Sequence, residues 1–160
     1  MAVKLLALDI STAVGSAIME RGRPPILQTL RLHGDRARMA GKLATWLDEM
    51  HMVHRFDAVA WERPLFVPKR DTVDKLEVLI GLVGVAYAFA GKHSLPWCEP
   101  TIQEVKAALT GSTKADKLQM ISAAMKIGWK PADDHQADAG GVGVAAMAIL
   151  NPRQAVGAGN

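Results

Sequence analysis

Residues 3–11, VKLLALDIS, are mostly apolar up to an acid near their end, Asp9. Such a run reads as a buried strand. A carboxylate at its end must find a partner, because an ionised group taken out of water unpaired is strongly disfavoured. Two more strand-like segments follow, GSAIME and PILQTLRLH, separated by the turn-former RGRPP. Three strands joined by short turns predict antiparallel hairpins.

Asp35 reads as a helix N-cap. The helix behind it carries Met39, Leu43, Leu47 and Met50 on one face, with Ala40 and Ala44 beside them. DAVAWE, residues 57–62, is a short strand that again ends in an acid, Glu62. A second helix starts near Asp71 or Thr72 and runs to about Ala90. Its second half is apolar all round, which predicts burial on most sides, and Gly81 and Gly84 admit a close backbone. SLPWCEP reads as a buried fifth strand, with Cys98 as inert packing. Thr101 and Glu104 form a capping box at the head of TIQEVKAAL. A further helix is expected over roughly 114–127, and Asp133 or Asp134 caps the last one. The order βββαβαβα, with helical additions, predicts an α/β fold: a mixed sheet with helices on its faces.

One domain suits 160 residues with 49% hydrophobic and 22% charged content,. The formal charge of +3 permits a polyanionic partner without requiring one,. A single cysteine excludes an internal disulfide and fits a reduced, cytosolic setting,. The longest apolar run, residues 78–91, is shorter than the ~20 residues a bilayer span needs. No secretion signal or membrane segment is expected, and the tail 151–160 is expected to be loose.

The last helix opens with ADDHQADAGG, residues 132–141. Asp134 and Asp138 share a face at i, i+4, as do His135 and Asp138 at i, i+3. If the first and fourth strands are neighbours and this helix packs across them, these groups meet Asp9 and Glu62. Converging carboxylates repel each other and resist burial. A hard divalent cation such as Mg²⁺ resolves that conflict. Two such ions activate a water and stabilise the leaving oxygen of a phosphodiester. Blander roles stay open: Asp133 and Asp134 as caps, His135 as a surface residue, Glu62 as a partner of Arg63 or Lys69.

Basic residues surround these acids in sequence. Lys106, Lys114, Lys117, Lys126 and Lys130 form one group, Arg21, Arg23, Arg31, Arg36 and Arg38 a second, and Arg63, Lys69 and Arg70 follow Glu62. Such groups suit phosphate contacts, which set affinity rather than sequence choice.

The motifs, in order and spacing, resemble the RuvC-type Holliday junction resolvases, including their phage-borne branch. The likeness covers roughly residues 4–150 and is carried by LALDISTAVGSAI, VAWERPLF, DKLEVLIGLVGVAYAFA, EVKAALTGSTKADKLQM and DDHQADAGG. It implies an RNase H-like fold with a five-stranded mixed sheet, three strands antiparallel and two parallel, in one nuclease domain over 1–150. It implies a metal-dependent endonuclease that resolves four-way DNA junctions by paired, symmetric nicks. Asp9 would bridge two Mg²⁺ or Mn²⁺ ions, Glu62 would hold one, and Asp138 would be the final ligand. His135 takes the place of a fourth ligand, with Asp134 as the alternative. Lys114 or Lys117 would steady charge at the cleaved phosphate. Phe66, with Leu65 as understudy, would wedge against bases, and Lys69, Arg70 and Lys106 would join Lys114 and Lys117 on DNA. A homodimer would form through the helix over 79–88, bounded by Leu79 and Ala88, in the cytoplasm of a bacterial or phage-infected cell.

One departure stands out. The family follows ADA with a leucine-rich helix, and here the residues are GGVGV. The glycines either permit tight backbone packing or leave the site looser. Alternatives remain: another RNase H-like nuclease acting on RNA–DNA hybrid or branched DNA, or a non-catalytic junction-binding protein. DIST also resembles the phosphate loop of actin-like ATPases and sugar kinases, which enclose nucleotide between two lobes where this chain offers one.

Overall fold

A computed structural model describes residues 3–150, so the 151–160 tail lies outside the described residues. Five strands form one sheet: β1 (Lys4–Asp9), β2 (Ala13–Glu20), β3 (Ile26–Arg31), β4 (Ala58–Trp61) and β5 (Trp97–Cys98), in the order β3-β2-β1-β4-β5. β1, β2 and β3 are joined as antiparallel hairpins, and β4 and β5 extend the sheet in parallel. This is the expected mixed sheet.

β1 is the middle strand, and Leu5, Leu6, Ala7 and Leu8 have no exposed surface. Both of its faces are therefore covered, which explains why it reads as a continuous apolar run rather than an alternating one. Leu6 and Leu8 enter one core with residues of α1 (Arg36–His54) and α2 (Val73–Lys92). Leu5 and Ala7 enter a second core with α3 (Ile102–Thr110), α4 (Lys117–Lys126) and α5 (Asp134–Leu150). Side chains alternate along a strand, so the next residue of the second set, Asp9, is aimed at α5. The same parity applies in β4. Val59 and Trp61 face the first core and Ala58 and Ala60 the second, which aims Glu62 at α5 as well.

The helix caps follow the expected chemistry. Asp35 accepts a hydrogen bond from the Arg38 N–H, and Thr72 from the Lys75 N–H. Thr101 and Glu104 make a complete capping box. Three expectations need correction. The fourth helix starts at Lys117 rather than Lys114, because Asp116 and Gln119 close their own capping box and leave 114–116 in the preceding turn. The second half of α2 is not buried all round. Ile80, Gly81, Gly84, Tyr87 and Ala88 are exposed, because α2 packs on α1 and the sheet and leaves one side free. β5 is an edge strand and not a buried one, so Trp97 remains 46% exposed.

The glycines of α5 resolve toward tight packing. A methyl group at Gly140 would lie 2.5 Å from the Trp129 ring, one at Gly143 2.7 Å from Met19 Cγ, and one at Gly141 3.0 Å from Val105. All three are buried. Each costs the helix up to ~1 kcal/mol relative to Ala, and close packing offsets that: Gly140 on Trp129, Gly141 on α3 and α4, and Gly143 on β1 and β2. Among the described residues no helix is long and apolar enough to cross a membrane.

Candidate active site

Leu8 pairs with Trp61 across the parallel β1–β4 ladder, and the Glu62 N–H donates to the Leu8 carbonyl at 3.3 Å. Asp9 and Glu62 therefore leave the sheet side by side, on the face that α5 crosses. α5 brings His135 down onto Asp9, with Nδ1 at 3.1 Å from Oδ2. Asp138, one turn further on, is close enough for the charges of Asp9 and Asp134 to act on it.

Gly15 makes this approach possible. It pairs directly with Asp9 in the β1–β2 ladder. A side chain there would overlap the His135 carbonyl. Sequence reasoning passed over Gly15, although a lone glycine inside a strand pattern is a known sign of a close backbone approach.

The acidic start of α5 is partly compensated within the chain. Asp133 is the cap: it accepts the Gln136 N–H at 2.9 Å and the Thr29 hydroxyl at 2.7 Å. Asp134 forms an ion pair with Lys117 Nζ at 2.6 Å. That pair holds the Asp134 carboxyl below its ordinary range and raises the Lys117 ammonium.

Among the described residues Glu62 and Asp138 have no such partner. Burial first, then the charges of Asp9 and Asp138, push the Glu62 carboxyl up to about 7, with Lys106 opposing. Burial, then Asp9 and Asp134, push Asp138 up to about 6, with Lys117 and His135 opposing. The hydrogen bond to Asp9 raises the His135 imidazole. Part-buried acids that repel each other, beside a histidine and two lysines, are a donor set in want of positive charge. Hard carboxylate oxygens suit Mg²⁺ or Mn²⁺. Among the described residues no three such side chains already converge at coordination distance. The acids are electrostatic neighbours rather than a finished cage.

The remaining expected residues fall into two groups. Lys106 and Lys117 are brought to the acids. Lys114 is exposed in the turn before α4, and the lysine charges acting on Glu62 and Asp138 are those of Lys106 and Lys117 instead. Phe66 is 39% exposed and Leu65 53% exposed, on the segment that leaves Glu62. Lys69 is exposed, and Arg70 Nε pairs with Asp71 at 3.4 Å. A small cleft lined by Asp9, Glu62, Arg63, Leu65, Arg70 and Ile102 joins the acids to this segment. A larger hollow between α3 and α4, lined by Thr110, Ser112, Asp116 and Lys126, holds none of the three acids. Burial pushes the Cys98 thiol up to about 11, which keeps it protonated and inert,.

Comparison with known proteins points to one family. The family described as Crossover junction endodeoxyribonuclease RuvC matches residues 29–148. The protein of that name from Halorhodospira halophila is 34% identical over 140 residues, covering 82% of this chain and 82% of the relative. The one from Cutibacterium acnes is 32% identical over 108 residues, or 66% of this chain, and the chain spans only 54% of that relative's length. Among solved structures, T. thermophilus RuvC in complex with Holliday junction substrate superposes with a TM-score of 0.74 at 19% identity, covering 89% of this chain and 92% of the other. The yeast mitochondrial Holliday junction resolvase superposes with a TM-score of 0.62 at 11% identity, covering 89% and 77%. At such identities the two structures establish a shared fold.

Proposed function

The chain belongs to the RuvC family of crossover junction endodeoxyribonucleases, and on that premise we propose that it resolves four-way DNA junctions by metal-dependent hydrolysis of phosphodiester bonds. One observation carries the assignment to particular residues. Asp9, Glu62 and Asp138 arrive from β1, from the end of β4 and from α5 on one face, part-buried and mutually repelling.

Asp9, Glu62 and Asp138 would hold divalent metal, Mg²⁺ or Mn²⁺, in a two-ion arrangement, with His135 as the fourth group. When bound, such ions lower the pKa of a water and stabilise the leaving oxygen. The rest of the chemistry falls to the chain. Asp9 ends the middle strand of the sheet and would take the central position. His135 uses Nδ1 on Asp9, which leaves Nε2 to face metal or phosphate. Lys117 is fixed by Asp134, so its charge stands beside the acids before substrate arrives and can steady a scissile phosphate,. Asp134 is then a positioning residue for Lys117 rather than a fourth ligand.

Lys69, Arg70, Lys106 and Lys114 would track the DNA backbone. Phe66 would meet bases where the arms cross. A homodimer through the exposed α2 stripe would set two sites on a symmetric junction. Gly81 and Gly84 support this, because among the described residues no other part of the fold lies within 4 Å of where their side chains would be. The glycine run of α5, which gave the binding-only alternative its motive, is tightly packed.

The test is incubation of the purified protein with a labelled four-way junction and a matched linear duplex, in Mg²⁺, Mn²⁺ or EDTA, beside Asp9→Asn and Asp138→Asn. Paired nicks in the junction alone, dependent on metal and on both acids, are expected. Tight junction binding without cutting, or cutting of RNA–DNA hybrid instead, would overturn the proposal.

A further inference from the structure

Glu62 sits where it is least stable, and little of its own backbone holds it. β4 ends at Trp61, and among the described residues the backbone bond that ties Glu62 to the sheet is the long 3.3 Å contact with Leu8. Asp9 and Asp138 repel its carboxylate. A chain end under that load would swing toward solvent unless its neighbours were fixed.

They are fixed from β5. The Trp61 indole Nε1 donates to Glu99 Oε2 at 3.2 Å, and Arg63 Nε stands 3.9 Å from Glu99 Oε1. The Arg63 N–H donates to the Pro100 carbonyl at 2.9 Å. Glu99 therefore grips the residues on both sides of Glu62. It is in turn anchored by the Tyr87 hydroxyl, which donates to Oε2 at 2.8 Å. Trp61 and Trp97 stack at 5.4 Å with 11° between their planes, and Tyr87 meets both edge-on. Glu99 reaches the side of the sheet opposite the three acids, because Trp61 belongs to the α1–α2 core.

We propose that Glu99, backed by Tyr87, is a positioning residue that presents Glu62 to metal by holding Trp61 and Arg63 on either side of it. The inference rests on reading Glu62 as a metal-holding acid. Glu99 touches neither metal nor substrate. It acts through the backbone of residues 61–63, and misplacement of an acid by about 1 Å is enough to cost 10²-fold in rate. The pattern was visible in WCEP, a third acid at the end of a strand, although here the acid serves its neighbours.

The full-length protein carrying Glu99→Leu, Glu99→Gln or Tyr87→Phe tests this. Mn²⁺ binding is followed calorimetrically without DNA, junction affinity in EDTA, and single-turnover cleavage across a Mg²⁺ titration. Glu99→Leu is expected to raise the half-saturating metal concentration about tenfold or more, and to slow cleavage, with junction affinity in EDTA within about twofold of wild type. Glu99→Gln keeps an acceptor for Trp61 and Tyr87 and is expected to recover most of the loss. Tyr87→Phe is expected to give a smaller shift in the same direction.

A folded Glu99→Leu with wild-type Mn²⁺ binding and cleavage would overturn the inference. Should that variant fail to fold, the Glu99→Gln/Tyr87→Phe double variant decides: wild-type metal binding would overturn the inference, and weakened binding with unchanged junction affinity would support it. Failure of the wild type itself to bind metal and cut would instead sink the reading of Glu62.

Discussion

His135 Nδ1 lies 3.1 Å from Asp9 Oδ2, across 126 residues of sequence, and this contact ties the first turn of α5 to the end of the central strand. It holds the imidazole through Nδ1, and in the proposed site Nε2 is the nitrogen left for metal. His135→Ala is therefore expected to raise the metal requirement for cleavage about 10–100-fold, while junction binding in EDTA stays as in wild type. A metal titration of single-turnover cleavage measures this.

Burial and the neighbouring acids make the ionised Glu62 carboxylate a cost to the metal-free fold. Its folded carboxyl titrates near 7 against an ordinary 4.5. A carboxyl raised on folding binds a proton more tightly in the native state, so the metal-free protein loses stability as pH rises from about 4.5 through 7,. Glu62→Gln removes the charge and keeps the shape. It is expected to stabilise the metal-free protein at pH 8 by on the order of 1–2 kcal/mol while abolishing cleavage. Urea unfolding in EDTA at pH 5 and pH 8 checks it: the variant gains at pH 8 and little at pH 5.

Lys117 and Lys114 are expected to separate. Lys117→Ala frees Asp134 and removes a positive charge beside the acids, so cleavage falls on the order of 10–100-fold. Stability changes by no more than about 1 kcal/mol, since Lys117 is exposed,. Lys114→Ala is expected to reduce the salt dependence of junction binding by about one unit of slope, with little effect on the bound rate. Cleavage at saturating protein and a salt titration of binding distinguish the two.

The two sets of helical glycines predict opposite outcomes. Gly140→Ala drives a methyl group into the Trp129 ring, and a loss of about 1–3 kcal/mol is expected. Gly81→Ala meets open space in the helix, and a gain of about 0.5–1 kcal/mol in the monomer is expected. In the proposed dimer the same methyl sits at the seam, so association weakens. Thermal unfolding and sedimentation against protein concentration read the two effects.

Asp71 governs part of the acid limb. The Val67 N–H donates to it at 2.9 Å, and Lys75 and Arg70 pair with it. These hold its carboxyl down at about 2, against an ordinary 3.8, with the Val67 bond the largest cause. A depressed folded pKa contributes stability that is present above the unfolded value and lost as pH falls through the folded one. Asp71→Asn is expected to unfold more readily than wild type at pH 5, with the difference closing between about pH 4 and pH 2. Thermal unfolding over that range measures it.

Much of the fold was legible because it is written locally. Asp35, Thr72, Thr101 and the strand–turn–strand segments act through bonds within a few residues. Asp116 was the exception: its capping box with Gln119 went unread, and the helix was expected to start too early. The surroundings of α2 were misjudged for another reason. Hydrophobicity says that a surface seeks cover, not whether this chain or a second copy supplies it, and Tyr87 and Ile80 stay exposed.

The sequence by itself determined that two strand segments run into acids and that a helix opens with more. Period and capping are properties of neighbouring residues, so they survive without tertiary context. Only the tertiary structure decided that Leu8 stands opposite Trp61, that Asp134 belongs to Lys117, that Gly15 makes room for His135, and that Glu99 holds both neighbours of Glu62. Each joins segments distant in the chain, and their meeting depends on strand register and on how closely α5 packs. Those are set by the whole core rather than by any one segment.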